Sequence, residues 1–69
     1  MKATYYEEDW VAIVEIIDDT STDEIEEFKL KVVTTLESGG IIEPKSDGSI
    51  FDVCQKRDEN DIYELVKHE

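Results

Sequence analysis

The chain has 69 residues, a formal net charge of −12 at pH 7 and an apolar fraction of 39%. A chain of this length makes a single domain over residues 1–69 and has little room for a deep substrate cleft, so we expect a binding protein and not an enzyme. Its anionic surface repels nucleic acid phosphates and anionic lipids, which argues against direct binding to DNA, RNA or membranes and favours basic protein partners.

Cysteine usage and the amino terminus predict a cytoplasmic protein. Cys54 is the only cysteine, so neither an intramolecular disulfide nor a cysteine-based zinc site can form. Residues 1–6 lack the apolar run of a signal peptide, and no segment approaches the ~20 apolar residues of a membrane span. We expect Cys54 to be buried in a strand, because an unpaired cysteine behaves as a small apolar residue.

The first predicted element is a strand from Trp10 to Ile17, which is rich in β-branched residues. Because its apolar residues are nearly continuous, we expect both faces of this strand to be buried. Trp10 is assigned to the core. Residues Ala3 to Tyr6 either extend this strand or form a short strand of their own.

A helix is predicted next, over residues 22–38. Ser21 and Glu24 have the spacing of a capping box, and Gly39 stands where a left-handed helix end is expected. Apolar residues recur at helical spacing between these limits, at Ile25, Phe28, Val32 and Leu36. This element is the basis for predicting a helical layer.

The rest of the chain predicts turns and two further strands. Residues 41–48 and 57–60 are rich in turn-forming residues, and residues 49–56 form a strand. Residues 61–67 form a last strand, with a helix over residues 59–67 as the alternative. The predicted fold is α+β in the order β-α-β-β, with one helix packed on a small antiparallel sheet and a possible extra amino-terminal strand.

The residues of common catalytic and metal sites are missing. His68, the only histidine, stands next to the end of the chain, where residues are often frayed. Two acidic groups, residues 18–23 and residues 58–64, have neither the spacing nor the glycine of a calcium-binding loop. We therefore expect no catalytic residue, no metal and no cofactor.

The charge is concentrated in the first part of the chain. Residues 3–28 contain ten acidic residues and no basic one, whereas residues 29–69 contain nine acidic and six basic residues. On the predicted helix Leu30 falls among the acidic residues, opposite the apolar stripe. An exposed leucine ringed by carboxylates is typical of the anchor of a binding surface, although single exposed leucines are also common on protein surfaces.

In size and acidity the chain resembles the small inhibitors that phages and mobile elements direct against host nucleic-acid enzymes, including DNA mimics and anti-CRISPR proteins. This resemblance is compositional and covers no motif. It implies a monomer or homodimer that inhibits a basic, nucleic-acid-handling protein by charge mimicry. The predicted partner-binding residues are Glu7, Glu8, Asp9, Asp18, Asp19, Asp23, Glu26, Glu27, Leu30 and Glu37.

Three other functions remain open at this point. An immunity protein or antitoxin that neutralises a basic nuclease would use the same electrostatics. A non-catalytic adaptor would pair a sheet edge, at residues 41–45 or in the last strand, with a strand of its partner. The charge could also serve only to keep the protein in solution.

Overall fold

Antiparallel strands make up the regular secondary structure of the described part of the chain. The computed structural model describes residues 1–58 and 61–68. The strands are β1 (Lys2–Glu7), β2 (Trp10–Asp19), β3 (Ile25–Ser38), β4 (Ile50–Lys56) and β5 (Glu64–Lys67). They form one sheet in the order β4-β3-β2-β1-β5, which curls around its inner face. No helix that could cross a membrane occurs in the described residues.

The predicted helix over residues 22–38 is wrong, and the α+β fold and the β-α-β-β order are wrong with it. Residues 25–38 form β3, the longest strand of the sheet. Phe28, Leu30 and Val32 are buried while the two lysines between them are exposed, which is the two-residue period of a strand. These residues form a strand and not a helix because β3 pairs with β2 on one side and with β4 on the other.

The helix-end signals have other uses in this fold. The Ser21 hydroxyl oxygen accepts a hydrogen bond from the Glu27 backbone N–H at 3.0 Å, and so joins the two sides of the β2–β3 turn. Gly39 follows β3 and does not end a helix. Among the glycines, Gly40 and Gly48 have positive φ instead, at 91° and 86°.

The strand predictions hold better than the helix prediction. β2 and β4 confirm the strands predicted at residues 10–17 and 49–56, and β1 is a separate strand. β2 is buried on one face only, because Val11 and Ile13 remain partly exposed. The strand, and not the helix, forms at Glu64–Lys67; Glu59 and Asn60, where the alternative helix would begin, lie outside the described residues. The prediction of a buried Cys54 is also wrong, because its side chain is exposed on β4.

The inner face of the curled sheet forms the core around an aromatic cluster. The Tyr5 ring lies 5.4–5.5 Å, centroid to centroid, from the rings of Trp10, Phe51 and Tyr63. Trp10 is only 1% exposed, which confirms its assignment to the core, and its indole N–H donates a hydrogen bond to the Thr35 hydroxyl at 3.1 Å. The buried residues are Ala3, Tyr5, Trp10, Ala12, Val14, Phe28, Leu30, Val32 and Tyr63.

Gln55 connects the two edges of the sheet. β4 and β5 are the edge strands, and the Gln55 side chain reaches from β4 to the segment just before β5. Its amide oxygen accepts hydrogen bonds from the N–H groups of Ile62 (2.8 Å) and Tyr63 (3.4 Å), and its amide nitrogen donates to the Tyr63 carbonyl (3.3 Å). A buried side chain thus replaces the backbone pairing that the edge strands do not make.

Candidate interaction surface

The fold divides the acidic run of the sequence into two groups at opposite ends of β2. Glu7, Glu8 and Asp9 lie at the β1–β2 hairpin, whereas the acidic residues from Asp18 to Glu27 surround the β2–β3 turn. Ten residues of strand span about 30 Å, which is close to the 32 Å longest dimension of the molecule. We call these regions the hairpin end and the turn end. The acidic residues therefore do not form the continuous array that the predicted helix implied.

Cations lie beside the carboxylates at the turn end. Arg57 forms an ion pair with Glu26 at 3.8 Å, and Lys67 forms one with Asp19 at 3.9 Å. Lys29 stands between Asp18 on β2 and Asp52 on β4 in the cross-strand register. Opposite charges on neighbouring strands attract one another, so the field of this acidic group is partly cancelled.

Other contacts at the turn end hold the turn itself. The Thr20 hydroxyl donates a 2.5 Å hydrogen bond to the Glu27 carboxylate. Hydrogen bonds from the Ser21 hydroxyl and the Ser21 N–H lower the pKa of Asp19. Asp23 is exposed in this turn. Asp19 and Glu27 thus have a structural role in joining β2 to β3.

The Glu7 carboxylate binds a buried core residue and is not a free surface charge. The buried Tyr5 hydroxyl donates a 2.5 Å hydrogen bond to the Glu7 carboxylate. Burial raises the pKa of Tyr5, and the hydrogen bond to Glu7 raises this pKa further. Tyr5 therefore stays protonated and satisfied inside the aromatic cluster.

Asp9 holds the segment that follows β3. Its carboxylate accepts hydrogen bonds from the N–H groups of Ile41 (2.5 Å) and Ile42 (3.0 Å), and its backbone carbonyl accepts one from Gly39 (3.0 Å). The Ile41 bond is the largest of the contributions that lower the pKa of Asp9. A Cβ on Gly39 would stand 2.8 Å from an Asp9 carboxylate oxygen, so this approach requires glycine.

Three exposed carboxylates at the hairpin end make no hydrogen bond or ion pair with a described residue. We call Glu8, Glu37 and Glu64 the acidic rim. Glu8 lies in the hairpin turn with a φ of 50°, while Glu37 and Glu64 belong to β3 and β5. No lysine or arginine occurs in the segments that carry them, residues 3–11, 33–38 and 61–66. Lys45, in the loop before β4, lies over the Phe51 ring at 5.3 Å.

Apolar side chains occupy the outer face of the sheet beside the acidic rim. Tyr6 pairs with Glu64 on one side and with Val11 on the other, and Val11 pairs with Glu37. Residues that are opposite one another on adjacent strands share a face. The next row along the strands runs through Val66, Thr4, Ile13 and Thr34 in the same way. We call Tyr6, Val11, Ile13, Val33, Leu36 and Val66 the outer patch.

β3 contributes more apolar residues to the outer patch than regular pairing would allow. Its register with β2 shifts between Ile13 and Val14 and again between Val11 and Ala12, and each shift leaves one extra residue on β3. The extra residues are Val33 and Leu36. Leu36 is 53% exposed, and Tyr6 and Val66 are 41% and 45% exposed.

The structure changes the composition of the predicted surface. Leu30 is fully buried, so its prediction as an exposed anchor among carboxylates is wrong. Glu8 and Glu37 lie in the acidic rim, beside Glu64, Tyr6 and Leu36, which sequence reasoning did not select. The two-residue period of the strand predicted at residues 3–6 was the available signal for Tyr6, because it places Tyr6 on the face opposite Tyr5. The extra residues of β3 have no such signal.

The described residues contain no group of three side chains that could hold a metal ion. A surface depression of about 410 Å³ lies at the turn end, lined by residues 23–25 and 56–58. No family model, curated protein or solved structure matches this chain. The chemistry of the hairpin end is thus an apolar surface bordered by carboxylates that form no ion pair with a described residue.

Proposed function

We propose that this protein binds a basic, nucleic-acid-handling protein and inhibits it by occupying the surface that holds phosphates. The observation that carries the proposal is the acidic rim, three exposed carboxylates on three different segments with no basic residue among them. At the turn end, by contrast, Glu26 and Asp19 form ion pairs with Arg57 and Lys67. The unbalanced field therefore points outward from the hairpin end.

The spacing of the rim suits a site built for nucleic acid. Glu64 and Glu37 are separated by two intervening strands, β1 and β2, which places their backbones about 14 Å apart along the sheet at ~4.8 Å per strand. The major groove of DNA is ~12 Å wide between its phosphate backbones. The two rim residues thus have a spacing of the same order as that of cations that hold phosphates on either side of that groove.

Association with such a target would be steered by charge. A net charge of −12 attracts a basic cleft over roughly the Debye length, about 10 Å at 0.1 M salt and 3 Å at 1 M. Final docking then depends on the exposed groups at the hairpin end. A basic nuclease is one member of this target class, so an immunity-type function would use the same surface.

The test begins with affinity capture on the immobilised protein at ~0.1 M salt, with duplex DNA as competitor. We expect a nucleic-acid-binding protein to be retained, to be displaced by DNA, and to lose its own activity when the acidic protein is added. The triple variant Glu8→Gln, Glu37→Gln, Glu64→Gln should bind this target at least tenfold more weakly.

A second triple variant is the matched control, because it removes the same charge from exposed carboxylates outside the rim. It consists of Glu15→Gln, Asp52→Asn and Asp58→Asn. We expect it to retain most of the affinity. Equal losses in the two triple variants would show that only total charge matters, and a partner that ignores both DNA and salt would contradict inhibition by phosphate mimicry.

A further inference from the structure

We propose that the outer patch is the docking surface for the partner, and that the partner offers apolar side chains flanked by lysine or arginine. This inference rests on the proposed function and specifies what the acidic rim surrounds. It predicts that charge brings the partner to the hairpin end and that apolar contact then decides which basic proteins remain bound.

The placement of the patch supports a docking role. The core lies on the inner face of the sheet, so packing of this domain does not account for the apolar residues on the outer face. Tyr6, Leu36 and Val66 each leave 41–53% of their surface exposed. Contiguous exposed apolar residues with a polar border are typical of protein interaction sites.

The irregular register of β3 adds to this arrangement. A bulge places two residues of one strand opposite one residue of its neighbour. Here the two bulged positions carry Val33 and Leu36, both apolar and both exposed. Polar residues at these positions would leave the β2–β3 ladder equally irregular, so pairing alone does not account for their apolar character.

Charge complementarity favours a basic partner over a second copy of this chain as the protein that covers the outer patch. The acidic rim borders the patch on the side of the hairpin, while Lys2, Glu15 and Lys31 alternate in sign across the row on the other side. A second copy of this chain would bring two molecules of net charge −12 together, because a two-fold interface uses the same surface on both. A basic partner instead gains attraction along the border.

The composition matches the organisation of protein interfaces. Aromatic and large apolar side chains near the centre contribute most of the binding energy, and the surrounding residues exclude water. Tyr6 lies directly between Glu64 and Val11 in the register. Its ring can also take a guanidinium group over its face, which favours arginine in the partner.

Two synthetic peptides test the inference on the intact protein, Arg-Arg-Leu-Trp-Arg-Arg and Arg-Arg-Ser-Ser-Arg-Arg. Each is titrated into the 15N-labelled chain at low salt and followed by amide chemical shifts. We expect the Leu-Trp peptide to bind at least tenfold more tightly, with its largest shifts at Tyr6, Val11 and Leu36. Equal affinities, or shifts centred on the turn end, would overturn the inference.

Matched variants distinguish binding at the outer patch from nonspecific binding to any exposed apolar side chain. Leu36→Ser should lower the affinity for the Leu-Trp peptide about tenfold and leave the affinity for the Ser-Ser peptide unchanged. Ile25→Ser is the control, because Ile25 is also exposed but lies at the other end of β3. If Leu36→Ser alters the amide spectrum globally, Val66→Ser is measured in its place with the same expectation. Unchanged affinity in the patch variant would contradict the inference.

The outcomes also distinguish this inference from the proposed function. If the two peptides bind equally and the rim variant Glu8→Gln, Glu37→Gln, Glu64→Gln weakens both, the acidic rim acts alone and the patch is not a docking surface. If neither peptide binds, the inference fails, and the affinity capture with its two triple variants decides the proposed function separately. A concentration-dependent dimer in sedimentation that Leu36→Ser disrupts would assign the patch to a second copy and overturn a basic partner.

Discussion

Replacing Gln55 with leucine should destabilise the fold strongly, because Gln55 is the link between the two sheet edges. The side chain is only 9% exposed, and it satisfies the N–H groups of Ile62 and Tyr63 and the Tyr63 carbonyl. A net hydrogen bond contributes ~1 kcal/mol, while a buried backbone group left without a partner costs about 1–3 kcal/mol. Ile62 is 65% exposed, so its N–H loses only the ~1 kcal/mol of a net hydrogen bond. The two bonds to the Tyr63 backbone are long, at 3.3–3.4 Å, and we count about 1 kcal/mol for each, which gives an expected loss in unfolding free energy of about 3 kcal/mol.

Urea denaturation followed by Trp10 fluorescence measures this loss, because Trp10 is the only tryptophan and is buried. Hydrogen exchange at Ile62 and Tyr63 reports the same contacts locally and should accelerate most in the variant. Gln55→Glu is the matched variant, since a carboxylate keeps the acceptor but loses the donor and faces Glu26. A loss below about 0.5 kcal/mol in Gln55→Leu, the range of ordinary surface changes, would refute the edge-linking role.

Two further predictions concern the core and the loop after β3. Leu30→Ala should cost about 2–5 kcal/mol in urea denaturation, because Leu30 is fully buried and its removal leaves a cavity; Leu30→Asp should not fold, and a folded Leu30→Asp variant would contradict the strand assignment. Asp9→Asn should be less stable than the wild type at pH 7. Because the pKa of Asp9 is lowered by folding, its stabilisation is present above the unfolded pKa of about 3.9 and is lost as the pH falls through the folded value. The urea denaturation midpoints of the wild type and of Asp9→Asn should therefore come closer together below about pH 4. A difference between these midpoints that does not change with pH would contradict the Asp9 contacts to Ile41 and Ile42.

The predicted helix shows what local patterns leave undecided. Residues 25–38 carry a helical repeat in Ile25, Phe28, Val32 and Leu36, and they also carry a strand repeat in Phe28, Leu30 and Val32. Both repeats share residues, and a capping box and a following glycine favoured the helix. The strand prevails through contacts with β2 and β4, which are distant in sequence and cannot be weighed from the segment alone.

The candidate site depended on the same choice. As a helix, residues 22–38 would have exposed Leu30 among carboxylates; as a strand, they bury Leu30 and expose Leu36. The acidic rim draws Glu8, Glu37 and Glu64 from the hairpin, β3 and β5. Their proximity follows from strand order and register, and neither could be derived from the acidic run at residues 7–27.

The sequence by itself determined the charge, the strands at residues 10–17 and 49–56, and the burial of Trp10, because each depends on composition or on a single consistent pattern. Tertiary structure alone decided whether residues 25–38 are helix or strand, where Leu30 and Cys54 lie, and which carboxylates are left without cations. The physical reason is that sheet pairing joins residues far apart in the chain. A side chain's face is set by the register of its neighbours and by bulges such as those at Val33 and Leu36, and a shift of one residue exchanges the buried face for the exposed one.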